Sequence, residues 1–83
     1  MDFKDQYQKL YKADQALNMG NEFDALMIIS DCFGNDTNKI YAFVLTESNP
    51  DYALHSKKLV KLVEKYLINV LIENIFGKDN KHN

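Results

Sequence analysis

The longest helical pattern of apolar and polar residues in the chain runs from Pro50 to Phe76. Apolar residues recur there at intervals of three and four, as they do along one face of an amphipathic helix. Asn49 is a suitable N-cap, Pro50 fits the first helical position, and Gly77 follows where a helix commonly ends. We therefore predict one long C-terminal helix. Its buried face consists of Leu59, Val60, Val63, Tyr66, Leu67, Val70 and Leu71.

The opposite face of this helix changes from basic to apolar halfway along. A helix that is apolar on every side needs to be covered on every side, and a chain of 83 residues has little material for that cover. Either other segments of the chain cover the second half, or that half contacts a second copy or a different protein. The first half carries Lys57, Lys58, Lys61 and Lys65, and the second half carries Ile68, Ile72 and Ile75.

A first helix is predicted from Asp2, its candidate N-cap, to about Leu17, with Gly20 as its stop. Asp14 falls within the apolar stripe of this helix, as an interface charge, a buried acid or a residue at the solvated edge. We expect the solvated edge, because aspartate is seldom fully buried. The stripe consists of Phe3, Tyr7, Leu10, Ala13 and Leu17.

The segment between these helices allows two interpretations. Apolar runs at 25–29 and 40–46 flank a polar segment with turn residues, and the second run is rich in β-branched and aromatic types. This pattern favours a β-hairpin with strands at about 24–31 and 39–46 and a turn at about 32–38. The alternative is a helix over 22–33. It would have Asn21 as cap, Gly34 as stop, and a stripe of Phe23, Leu26, Met27 and Phe33.

The predicted fold is therefore a small α+β domain: an N-terminal helix, a β-hairpin, and the long C-terminal helix packed on the sheet. A two-stranded hairpin is not stable alone, so the helix has to cover one of its faces. The alternative fold is an all-α small helical bundle. Residues 1–77 are expected to form one compact domain and residues 78–83 a polar flexible tail.

Composition narrows the possible functions. Cys32 is the sole cysteine, which excludes a disulfide within the chain, and neither His55 nor His82 has a companion at metal-ligand spacing. No cofactor motif is present. The chain has no arginine and a net charge of −2, which makes nucleic acid a less favoured partner. No apolar run is long enough to span a bilayer and no signal peptide opens the chain, so we expect no membrane partner and a cytoplasmic location.

Two groups of residues are candidates for a catalytic site and a metal site, and neither has the sequence pattern that such a site needs. Cys32, His55 and Asp31 could form a nucleophile set, but no glycine-bracketed turn surrounds the cysteine, and a lone cysteine is more often a small packing residue. The oxygen-rich loop does not match the spacing of a calcium loop, and turn chemistry explains it equally well. We therefore expect a protein that is not an enzyme and binds no metal. The loop residues are Asp31, Asn35, Asp36 and Asn38.

The function that remains is protein binding. We expect a small inhibitor or regulator that occupies a partner protein's surface and also self-associates as a homodimer. The predicted interface includes Tyr11 and Tyr52, because tyrosine is enriched at interfaces. An alternative is a nucleic-acid-binding regulator whose four lysines contact phosphates. The other predicted interface residues are Ile68, Ile72 and Ile75, and the predicted phosphate contacts are Lys57, Lys58, Lys61 and Lys65.

Overall fold

The computed structural model describes residues 3–80, which form four helices and contain no strand. The first helix packs mainly on the second and the third mainly on the fourth, while the fourth also contacts the first two. The architecture is an all-helical bundle, so the predicted α+β fold with its hairpin is wrong and the alternative fold is confirmed. The helices are α1 (Phe3–Asn18), α2 (Glu22–Phe33), α3 (Thr37–Glu47) and α4 (Lys57–Asn80).

α2 replaces the first predicted strand, and both of its ends are held by residues outside the helix. The Asn21 side chain accepts a hydrogen bond from the Asp24 N–H at 3.3 Å. Gly34 adopts a φ of +54° after the last turn and donates its N–H to the Ser30 carbonyl at 2.8 Å. These end contacts favour a helix, and they outweigh the strand-like run between them.

α3 replaces the second predicted strand. The Asp36 side chain caps it by accepting from the Lys39 N–H at 3.1 Å. The positions that face the core are spaced i, i+3, i+4 and i+7, which is a helical period. A glutamate occupies the last of them, so the period is not visible from the apolar residues alone. These positions are Ile40, Phe43, Val44 and Glu47.

The core draws on all four helices. α1 and α2 each contribute a fully buried alanine, Ala13 and Ala25. The Tyr66 hydroxyl of α4 donates to the Gly34 carbonyl at 2.5 Å and so ties α4 to the end of α2. The other buried core residues are Leu10, Ile29, Cys32, Phe33, Ile40, Leu59, Leu62, Val63 and Val70.

α4 begins at Lys57 and not at Pro50. A single turn does form after Asn49, whose side chain accepts from the Asp51 N–H at 3.0 Å. The Asn49 carbonyl also accepts from the N–H groups of Tyr52 and Ala53, both at 3.0 Å. Asn49 and Pro50 therefore start a turn, as their chemistry predicts, but the turn does not grow into a helix.

The turn stops because two carboxylates bind the next three backbone N–H groups. Glu47 accepts from the N–H of Leu54 at 3.0 Å and from that of His55 at 2.8 Å. Asp14 accepts from the Ser56 N–H at 2.9 Å and also from the Ser56 hydroxyl. In a continuing helix these N–H groups would instead donate to the carbonyls four residues earlier. Residues 48–56 therefore form a connector held by α1 and α3.

Ser56 then starts α4. Its hydroxyl oxygen accepts from the Leu59 N–H at 3.2 Å, and its carbonyl accepts from the Val60 N–H at 3.1 Å. Asp14 is half-buried at this junction, where it lies at the edge of the α1 stripe and binds Ser56.

The far end of α4 also departs from the prediction, because the helix passes through Gly77 and continues to Asn80. The first helix is confirmed at Phe3–Asn18. The predicted cap Asp2 and the last part of the predicted tail, residues 81–83, lie outside the described residues.

Replacing Glu47 with alanine is expected to destabilise the fold by about 3 kcal/mol, because it leaves buried donors without their acceptor. Urea denaturation followed by circular dichroism measures the change. Glu64→Ala removes an exposed glutamate from α4 and should stay within about 0.5 kcal/mol of the wild type. Equal effects of the two substitutions would show that the connector does not depend on the Glu47 carboxylate.

Candidate functional site

The C-terminal part of α4 lies outside the core. After Val70, α4 has no buried residue through Phe76. From Ile68 onward, five large apolar side chains are between 43% and 63% exposed, although the earlier apolar residues of this helix are buried or half-buried. We call these five residues the α4 apolar surface; they are Ile68, Leu71, Ile72, Ile75 and Phe76.

Helical geometry explains this exposure. At 100° per residue, Ile68, Ile72 and Ile75 fall on the side of α4 opposite its buried residues. The residues buried on the other side include Leu59, Val63 and Val70. The structure thus brings together the three isoleucines predicted as an interface and leaves them uncovered by the other described helices.

Four lysines extend the same face toward the N-terminus of α4. All four are exposed, and none lies within ion-pair distance of a carboxylate in the described part of the chain. The face therefore has a basic half and an apolar half, as the sequence predicted. The lysines are Lys57, Lys58, Lys61 and Lys65.

A shallow groove between α2 and α4 borders the apolar surface. Ile68 forms part of its wall, together with Leu26 of α2. Glu22 and Lys65 place one acidic and one basic side chain along the groove. A partner that covers Ile68 would therefore also meet a mixed pair of charges at the edge of the surface.

The two tyrosines predicted as contacts lie on other elements. Tyr11 is on α1 and Tyr52 is in the connector, and both are exposed. The predicted interface residues are therefore spread over three elements, and the isoleucines form the group that shares one helical face.

Sequence reasoning missed several exposed apolar residues. Leu71 was expected on the buried face of α4, and Phe23 and Met27 were expected in the stripe of the alternative α2 helix. These residues have helical spacing, so the sequence could not separate them from core positions without the packing of the neighbouring helices. The remaining large exposed apolar residues of the described chain are Tyr41 and Leu45 of α3, Met19 and Leu54.

A buried acid and histidine form the most enclosed polar pair in the described chain. His55 Nδ1 lies 3.0 Å from Glu47 Oε1, and their side chains are 3% and 0% exposed. The His55 ring also packs on Phe43 at 5.5 Å between centroids. Sequence reasoning missed Glu47 as the partner because it expected His55 inside a helix. The connector instead brings His55 back to the end of α3, where the pair is enclosed.

The nucleophile set considered from the sequence is not assembled around the cysteine. His55 binds Glu47, and Asp31 binds Lys9 Nζ at 3.0 Å. The hydrogen bond with Asp31 raises the pKa of Lys9.

Asp36 of the oxygen-rich loop has a structural role, because its side chain caps the N-terminus of α3. Among residues 3–80, no three His, Cys, Asp or Glu side chains are grouped so that they could hold a metal ion. Within the same residues, no helix is both long enough and apolar enough to cross a membrane.

No protein-family model matches the chain, and comparison with curated proteins and with solved structures gives no match either.

Cys32 is expected to be an unreactive thiol in the folded protein. Burial raises the pKa of this thiol; the Lys9 ammonium offsets part of the increase, and the neighbouring Asp31 carboxylate adds to it. The folded state therefore keeps the protonated form, and thiolate is the reactive species. We expect modification by an aromatic disulfide reagent at mildly alkaline pH to be at least about tenfold slower in the native protein than in urea.

Ser30→Cys supplies a control, because it places a second thiol at an exposed position of the same helix. One equivalent should then react fast and one slowly. Because the pKa is raised in the folded state, the Cys32 thiol favours folding below the pKa of the unfolded thiol. This contribution is lost as the pH rises through the folded-state pKa. Fast modification of native wild-type protein would contradict the prediction.

Proposed function

We propose that the chain is a small non-enzymatic protein-binding domain that acts as an inhibitor or regulator by occupying part of a partner protein's surface. The α4 apolar surface is the contact. The observation that carries this proposal is the exposure of five large apolar side chains on one side of α4, four of them beyond its last buried residue, Val70. Large contiguous apolar patches on small proteins commonly mark interaction sites.

The size of the surface supports the proposal. Five side chains of this type, each about half exposed, present on the order of 500 Å² of apolar area, which is the range where the largest patch on a monomer is often functional. A helix that offers residues at i, i+4 and i+7 also matches the way in which amphipathic helices dock into apolar grooves. The proposal includes a cytoplasmic location, supported by a lone cysteine without a disulfide partner.

Ile72→Asp is expected to weaken partner binding at least about tenfold, because it places a charge in the middle of an apolar contact. The immobilised chain is first used to capture proteins from a lysate of the organism that makes it. The captured protein is then purified and its affinity for each variant is measured by calorimetry. Ile72 is about half exposed, so the substitution should leave the helical circular dichroism unchanged.

Leu45→Asp is the matched control for this experiment. Leu45 is 54% exposed and Ile72 is 48% exposed, but Leu45 lies on α3. The control should bind the purified partner as tightly as the wild type does. The proposal fails if a purified partner binds the Ile72→Asp and wild-type chains with equal affinity.

A second candidate function is favoured by the four exposed lysines of α4, which have no carboxylate partner in the described chain. A nucleic-acid-binding regulator would place them on phosphates and release counterions. The lack of arginine removes the side chain that most often reads base edges, so this binding would follow the backbone and not the sequence.

Under this second function, Lys61→Glu combined with Lys65→Glu should weaken retention of a labelled duplex and leave helix content unchanged. Lys12→Glu combined with Lys39→Glu changes the net charge equally at exposed positions on α1 and α3. Fluorescence anisotropy at several salt concentrations gives the slope of the logarithm of the binding constant against the logarithm of the salt concentration. The magnitude of this slope should fall by about one to two when the α4 lysines are replaced. If both pairs of substitutions weaken nucleic-acid binding equally, the binding depends on net charge and not on contacts made by the α4 lysines.

A further inference from the structure

We propose that the α4 apolar surface binds a second copy of the chain, with the two α4 helices antiparallel. This inference rests on the proposed function and names one occupant of the same surface.

The spacing along α4 indicates that the partner element is a helix. Lys61, Lys65, Ile68, Ile72 and Ile75 follow one another at intervals of four, three, four and three residues, and the last three are exposed on one side. This interval pattern is the seam of a two-stranded coiled coil, in which each side chain fits between residues of a facing helix. The surface is thus shaped to receive another helix along its length.

The charge distribution determines the orientation of that helix. A parallel pair in register would place the lysines of one copy beside the same lysines of the other, at a separation of about 10 Å between helix axes. An antiparallel pair that overlaps at Ile72 places apolar surface on apolar surface. It also moves the two Lys61 positions about 30 Å apart along the axis. That separation exceeds the Debye length of about 8 Å at physiological salt, so the repulsion is screened.

The chemistry of the surface favours a second copy as the occupant. Its five members are all apolar, so another copy of the same surface is a complementary partner for it. A twofold arrangement uses the surface of both copies completely and therefore closes at the dimer.

The area is sufficient for such a dimer but not large. Two facing copies of the surface would bury on the order of 1,000 Å², which is the lower limit for a specific interface and typical of a weak one. The groove beside Ile68 adds contact at each end, with Glu22 and Lys65 at its edge. We therefore place the dimer in the micromolar range of dissociation constants.

Sedimentation velocity of the full chain tests this inference. Between about 5 µM and about 500 µM, a range that spans weak association, the wild-type chain should shift from monomer to dimer. Ile72→Asp, and separately Ile75→Asp at the more exposed position, should raise the dissociation constant at least about tenfold. Leu45→Asp should dimerise as the wild type does.

The orientation has its own measurement. A spin label on Lys61→Cys should give a distance of about 30 Å between copies in the antiparallel dimer, and a short one near 10 Å in a parallel pair. The wild-type chain treated with the same reagent reports any label on Cys32.

Three results would overturn the inference. They are a wild-type chain that remains monomeric throughout the range, a dimer that Ile72→Asp and Ile75→Asp leave intact, and a short distance at Lys61→Cys. None of them decides the proposed function, which stands or fails with the purified partner. Conversely, dimerisation lost with both aspartate variants supports the inference even where no other protein binds.

Discussion

The start of α4 is determined by two carboxylates that bind backbone N–H groups outside their own helices. Asp14 of α1 and Glu47 of α3 accept from Leu54, His55 and Ser56, and so prevent the turn after Asn49 from continuing. Because a buried N–H without an acceptor is costly, this arrangement fixes the connector and makes Ser56 the first residue of the α4 cap. The position of α4 relative to the core follows from it.

The exposed end of α4 is a consequence of that position. α4 has 24 residues and α1, the longest of the other helices, has 16. At 1.5 Å per residue these lengths are about 36 Å and about 24 Å. Since the start of α4 is held against α1 and α3, the excess length extends beyond the bundle at the other end. That end carries four exposed apolar residues among polar ones, so part of the uncovered hydrophobic surface follows from the difference in helix length. The four are Leu71, Ile72, Ile75 and Phe76.

The sequence predicted the elements whose pattern is long and repeated. α1 and most of the buried face of α4 follow from helical spacing, and the structure confirms Leu59, Val60, Val63 and Val70 as buried. The hairpin was wrong because α2 and α3 are short and rich in residue types that also suit strands. Their end contacts, at Asn21, Gly34 and Asp36, are local signals that carried more information than the composition between them.

Glu47 shows why the rest could not be predicted. In the sequence it ends an apolar run and resembles an ordinary solvated acid. In the structure it completes the buried face of α3, accepts from two backbone N–H groups, and lies at hydrogen-bond distance from His55 Nδ1. Those donors lie seven and eight residues away, a distance at which no helical or strand period operates. The start predicted for α4 was therefore wrong for a reason that lies in tertiary contacts.

For the α4 apolar surface, the sequence predicted the helical face but not the exposure of every residue on it. The arc of Ile68, Ile72 and Ile75 follows from helical geometry alone, because α4 is helical on any interpretation of the segment before it. Whether that arc is covered depends on which face of α4 the other helices pack against, and they pack on the opposite face, which includes Val63 and Val70. The exposed Leu71 was missed for a different reason, since the cover expected for its side of α4 does not extend that far.

The two proposals for this surface are linked, because both use the same five side chains. A closed twofold dimer covers the α4 apolar surface, so a different protein can bind there only after the copies separate. The apparent affinity for that protein then falls by the fraction of chain held in the dimer. An interface of only about 1,000 Å² makes this competition mild, because a weak dimer dissociates readily as the chain is diluted. The short bundle beside a long helix would thus keep its apolar surface covered at high concentration and present it at low concentration.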